Sequence, residues 1–166
     1  MAITTVRYPY SFNSETVFAV FTRKDFIEQK YASVGATNLQ FIDYGEKEGT
    51  FVIHTTRDIS ADLPGFAKKF LNPTTTIVQK EVWTLTDDPT KKGVVEVQAK
   101  GLPMQMTGDI ILKPTNDGSE NILNYEIKVN IPLVGGKLAS FLDGEGRKTG
   151  DQEYEFAVKF LNQIEA

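Results

Sequence analysis

Apolar and polar residues alternate through most of the middle of the chain. From Asn121 to Ile131, Leu123, Tyr125, Ile127, Val129 and Ile131 fall on one side, and Asn124, Glu126, Lys128 and Asn130 on the other. The same period runs through Val94 to Lys100, where Val95, Val97 and Ala99 oppose Glu96, Gln98 and Lys100. In Met104 to Leu112, Met104, Met106, Ile110 and Leu112 share one face. Successive strand side chains point to opposite sides, so this pattern predicts antiparallel strands with one buried and one wet face. Thr74 to Leu85 is a long β-branched run, and Leu39 to Tyr44 with Thr50 to Arg57 reads as a hairpin around Gly45 and Gly49. Asp87-Asp88-Pro89, Gly101-Leu102-Pro103 and Asn116-Asp117-Gly118 supply turns.

The two ends carry a different period. After a short strand from Ile3 to Tyr10, Ser14 is placed to cap a helix over Glu15 to Phe21, with Val17, Phe18 and Phe21 as its apolar stripe. A second helix over Lys24 to Val34 carries Phe26, Ile27 and Tyr31 and stops at Gly35. Pro64 to Leu71 reads as a short helical insert with Pro64 in its first turn. After Pro132, Leu138, Phe141 and Leu142, then Phe156, Ala157, Phe160, Leu161 and Ile164, recur at helical spacing. A helix of about thirty residues spans about 45 Å and must cover an apolar sheet face. The predicted order is a strand, two helices, six strands and one long helix, in one α+β domain over residues 1–166.

Composition narrows the chemistry. Eighteen Lys+Arg against twenty-two Asp+Glu give a net charge of −4, unlike a broad nucleic-acid or anionic-membrane surface, which is basic. With no Cys there are no disulfides, thiolate metal sites or Cys nucleophiles, and one His excludes a site needing two imidazoles. No cofactor is expected. Met1 to Arg7 lacks a charged leader followed by an apolar core, and no window nears the roughly 18 apolar residues of a spanning helix, so a cytoplasmic protein is expected. Gly135-Gly136-Lys137 lacks the spacing of a phosphate loop, and neither a dinucleotide glycine fingerprint nor a nucleophile elbow is present. His54 has no Ser or Asp placed by sequence to partner it, and Asp87-Asp88 reads as a turn. Trp83 shares parity with Gln79 and Glu81, which suggests a wet outer sheet face.

The element order resembles that of the START-like superfamily, which includes polyketide cyclases and birch-pollen-allergen-like proteins. In that helix-grip fold a curved antiparallel sheet of about seven strands wraps a long C-terminal helix. Asp62-Leu63-Pro64-Gly65-Phe66-Ala67-Lys68-Lys69-Phe70, Pro73-Thr74-Thr75-Thr76 and Glu81-Val82-Trp83 resemble one uncharacterised bacterial family within it. So do Gly101-Leu102-Pro103, Gly108 and Pro132-Leu133-Val134-Gly135-Gly136-Lys137. The resemblance covers essentially the whole chain. It implies a fold and a cavity; the family brings no assigned activity.

The cavity wall is expected from the inward parity of the later strands: Val97, Met104, Met106, Tyr125 and Ile127, with Phe141 opposite. The same residues would equally serve as an ordinary filled core. On a helical wheel with Leu138 at 0°, Glu145, Thr149 and Gln152 fall at about −20°, +20° and −40°, inside the apolar stripe. Gly144, Gly146 and Gly150 surround them, and each Gly costs an exposed helix about 1 kcal/mol against Ala. Either this helix passes over a partly wet cavity, with Glu145, Thr149 and Gln152 as ligand contacts, or the glycines break it and these residues are solvated. Leu63, Phe66 and Phe70 share a face of the insert, as a cavity lid or as a packed loop, and with Lys68 and Lys69 lying away from that face the insert suits transient membrane contact.

Three functions follow: a carrier of a lipophilic small molecule, a polyketide cyclase-like enzyme in which Glu145 or Tyr125 moves protons, or a filled interaction module. The missing catalytic set favours the first. A cavity under about 300 Å³ would favour the third.

Overall fold

The computed structural model describes residues 3–165; Met1 and Ala2, with which the leader reading begins, and Ala166 lie outside the described residues. Strand β1 (Thr4–Tyr10) is followed by helices α1 (Ser14–Phe21) and α2 (Lys24–Ser33). Strands β2 (Thr37–Lys47), β3 (Thr50–Ser60), β4 (Thr74–Thr84), β5 (Lys91–Ala99), β6 (Met104–Thr115) and β7 (Gly118–Val129) come next, and α3 (Gly135–Ile164) closes the order. All pairings in the seven-stranded sheet are antiparallel, in the order β1-β7-β6-β5-β4-β3-β2. With α3 packed on the sheet, this is the helix-grip architecture.

Register shows what the sheet presents to α3. One row across it runs Phe51, Trp83, Gly93, Ile110, Leu123 and Val6. The next runs Ile53, Glu81, Val95, Gly108 and Tyr125, and the third Thr55, Gln79, Val97, Met106 and Ile127. The face holding Trp83, Gln79 and Glu81 is therefore the inner one, which corrects the outward reading. Trp83 is only 1% exposed and packs edge-on against Phe18 of α1. A Cβ at Gly93 would lie 3.0 Å from the Trp83 ring, so the glycine leaves space for the indole.

Two local expectations change. Asn13, not Ser14, caps α1: its side chain accepts from the Thr16 amide at 2.8 Å, while the Ser14 hydroxyl donates to the Pro89 carbonyl at 2.6 Å. The insert after Pro64 is a pair of turns and not an α-helix, closed by bonds such as Ala67 to Pro64 and Leu71 to Ala67. Gly65 and the short length leave it below what a helix needs to propagate.

Helix α3 is continuous over its 30 residues, so its glycines do not break it. They differ in surroundings. A Cβ at Gly144 would meet nothing within 4 Å, whereas at Gly150 it would lie 2.9 Å from the Tyr8 hydroxyl. Gly144→Ala is expected to stabilise the protein by about 0.5–1 kcal/mol, seen as a higher urea midpoint with unchanged slope. Gly150→Ala should show no such gain.

Candidate ligand-binding site

The core is not continuous. One cluster joins α1, α2, the C-terminal half of α3 and the Trp83 end of the sheet. A second joins Ala67, Leu71, Ile77, Ala99, Leu102 and Leu138. A cavity of about 390 Å³ lies between the inner sheet face and α3. Its apolar wall includes Val95, Val97, Met104, Met106, Ile110, Leu123 and Ile127 from the sheet, and Leu142 and Ala157 from α3. The inward period-two positions of curved strands converge on this space, and α3 crosses above them.

Of the residues expected from sequence, Val97, Met104, Met106, Tyr125, Ile127, Glu145 and Thr149 come together on this wall. Phe141 and Gln152 do not. Phe141 packs into the second cluster, edge-on to Phe66 at 6.3 Å between ring centroids. Gln152 is exposed and borders a surface depression with Ser33, Val34, Glu155, Phe156 and Lys159. The reason is the helix period. Steps of four residues advance by about 40° beyond a full turn, so the cavity-facing stripe drifts along α3. It reaches Glu153 and Ala157 and leaves Gln152 on the outer side. The expected lid also lies elsewhere: Leu63 and Phe66 pack on the second cluster, Phe70 is 38% exposed, and none of the three lines the cavity.

The unanticipated part of the wall is polar. Lys30 of α2, Arg57 of β3, Gln79 and Glu81 of β4, Asn121 of β7 and Glu153 of α3 all face the cavity. Arg57 shares parity with Phe51 and Ile53, and Gln79 and Glu81 lie between Ile77 and Trp83. The sequence signal for these three residues is the large apolar residues that share their parity. Glu81 accepts from the Gln79 amide at 3.0 Å and from the Trp83 indole at 3.2 Å. The Arg57 guanidinium sits 4.0 Å from the Tyr31 ring centroid, and the Lys30 ammonium 4.6 Å from the same ring. Arg57 Nη1 and Asn121 Oδ1 are both buried and find no hydrogen-bond partner among the described residues.

Tyrosines line the opposite wall. Tyr125 donates to Asp143, whose other oxygen is 3.0 Å from Arg147, and Tyr8 donates to Asp151 at 3.0 Å. Tyr154 stacks on Tyr8 and meets Tyr10 edge-on. Burial pushes the Tyr8, Tyr10 and Tyr125 phenols well above the ordinary tyrosine range; the Asp151 and Asp143 carboxylates add to this at Tyr8 and Tyr125, and Tyr154 at Tyr10. Burial alone would lower the Lys30 ammonium, but Tyr31, Glu153 and Glu81 outweigh it and hold Lys30 above the usual lysine value, against the opposing charge of Arg57. Among the described residues, no helix is long and apolar enough to cross a membrane.

Solved structures share this fold at low sequence identity. A protein from Thermus thermophilus superposes with a TM-score of 0.64 at 10% identity, covering 99% of both chains. Ara h 8.0201 superposes at 0.61 and 11% identity, covering 98% of both. A STAR-related lipid transfer protein fragment from Xanthomonas axonopodis gives 0.58 at 15% identity, covering 96% of this chain and 84% of that one. In sequence, an uncharacterised protein of Mycobacterium tuberculosis is 27% identical over 141 residues, 78% of this chain and 79% of that protein. The family model described as a protein of unknown function (DUF2505) matches residues 5–161, and the chain belongs to that family.

Proposed function

We propose that this chain is a non-enzymatic binding or carrier protein for an amphipathic small molecule held between the sheet and α3. The observation that carries the reading is a cavity of about 390 Å³ whose walls hold two buried polar atoms without partners among the described residues. That volume lies within the roughly 300–1,000 Å³ of small-molecule pockets. A buried donor or acceptor left unpaired costs about 1–3 kcal/mol, so an apolar guest bearing polar groups suits the site better than a filled core would. The similarity to a STAR-related lipid transfer protein supports the same reading. Met104 and Met106 give the wall adaptable shape, and Tyr125, Glu145 and Thr149 add polar contacts along α3.

Holding is favoured over transforming. Tyr125 is committed to Asp143, and its phenol stays protonated far above neutral pH, a poor match for proton transfer there. Native mass spectrometry of the purified protein, followed by organic extraction, is expected to show a mass added to the chain and recovered in the organic phase. Protein of the bare chain mass that also takes up no amphiphile would overturn the reading.

A further inference from the structure

The polar end of the cavity has an imbalance in how its charges are satisfied. Both Glu81 oxygens are engaged by neutral donors, the Gln79 amide and the Trp83 indole. The two cations beside it are differently placed. Among the described residues, no carboxylate oxygen lies within 4.0 Å of a Lys30 or Arg57 nitrogen. Both rest on the Tyr31 ring, which leaves their N–H groups free to point elsewhere. Arg57 Nη1 is fully enclosed and makes no hydrogen bond to the described residues, although a guanidinium has five donors in a planar fork. A buried charged donor needs an acceptor, and the group best matched to that fork is a carboxylate.

We propose that the ligand is a carboxylate-headed amphiphile, its head between Arg57 and Lys30 and its apolar body along Val97, Met106 and Ile127. The inference rests on the carrier reading above and names the class of molecule carried. Glu81 and Glu153 also line the cavity, so a singly charged head meets less carboxylate repulsion there than a doubly charged phosphate monoester. The body can follow one row of the sheet: Arg57 is paired with Ile77, two residues along β4 from Gln79, and from Gln79 the row runs through Val97 and Met106 to Ile127.

The test compares dodecanoate with dodecanol, which share a chain and differ in the charge of the head. Trp83 is the only tryptophan and lines the cavity, so its emission reports occupancy, and calorimetry gives the affinity. The protein, stripped over a hydrophobic resin, is expected to bind dodecanoate about tenfold or more tighter than dodecanol, as a charged hydrogen bond implies. Arg57→Met should abolish that preference by weakening the acid and sparing the alcohol; Arg57→Lys should keep part of it. Lys30→Met should reduce it independently, which guards against misfolding of the Arg57 variants. Equal affinity for both probes, or a preference unchanged in Arg57→Met, overturns the carboxylate assignment and leaves the carrier reading standing. Binding of neither probe overturns both.

Discussion

Replacing Trp83 with alanine is expected to cost about 3–5 kcal/mol of folding stability, near the upper end for a single core substitution. The side chain is 1% exposed, packs edge-on against Phe18 at 5.3 Å between ring centroids, and fills the space left by Gly93. Its removal takes away three things: the transfer energy of a large aromatic, one contact between α1 and the sheet, and one of the two donors holding Glu81. The third sets Trp83→Ala apart from an ordinary cavity mutation. A Glu81 carboxylate held by Gln79 alone is poorly compensated, and water drawn in from the neighbouring cavity would offset only part of that. Trp83→Phe keeps much of the packing and removes the indole donor, so it should cost clearly less. Urea unfolding followed by far-ultraviolet circular dichroism, which needs no tryptophan, measures both. A loss below about 1 kcal/mol for alanine would show that the indole is not a core anchor.

Trp83 also marks where sequence reasoning reached its limit. Strands such as Asn121 to Ile131 were legible because their inward residues are apolar and their outward residues polar. The long helix was legible because Leu138, Phe160 and Leu161 keep a helical spacing. That logic assumes a filled interior, where polar means outward. Around a hollow it fails. Gln79 and Glu81 point inward on the same side as Ile77 and Trp83, and Arg57 on the same side as Ile53. The apolar half of the wall could thus be named from parity, from Val97 to Ile127. In the polar half, Gln79 and Glu81 read as outward with Trp83 although they face the cavity, and nothing in the pattern marks Lys30 or Arg57. On α3 the error was one of phase. Glu145 and Thr149 were placed over the cavity, but a stripe held at fixed angle selects Gln152, while drift of the real helix selects Glu153. The insert containing Phe66 departs from the predicted helix because a brief apolar and proline-led segment cannot be told from a helix by pattern alone.

Above about pH 10 the protein is expected to lose stability steeply, with a slope of about 3 kcal/mol per pH unit from two phenols alone. Tyr10 and Tyr125 are each 6% exposed, and burial raises both above the value of about 10 that tyrosine has in the unfolded chain. A group whose folded value is raised contributes stability that is fully present below its unfolded value. That stability disappears as the pH climbs from there toward the folded value, because the unfolded chain releases its protons first. Each such phenol contributes a slope of about 1.4 kcal/mol per pH unit in that window. Tyr8 acts in the same sense, but it is only partly buried and solvent screening reduces its share. Lys30 also acts in the same sense, its ammonium being held above the lysine value. Domains of this kind have about 5–15 kcal/mol in total, so two to three pH units exhaust the margin. Urea unfolding at pH values from about 8 to 11 tests the slope, and phenolate absorbance tests the cause. Folded protein should show fewer ionised tyrosines than unfolded protein at the same pH. Tyr10→Phe with Tyr125→Phe should flatten the decline while changing stability at neutral pH far less, since phenylalanine keeps the buried ring and loses only the ionisable hydroxyl. A flat stability profile across that range in the unmodified protein would mean that these phenols ionise as freely in the fold as in the unfolded chain, and that the cavity wall they form is wet.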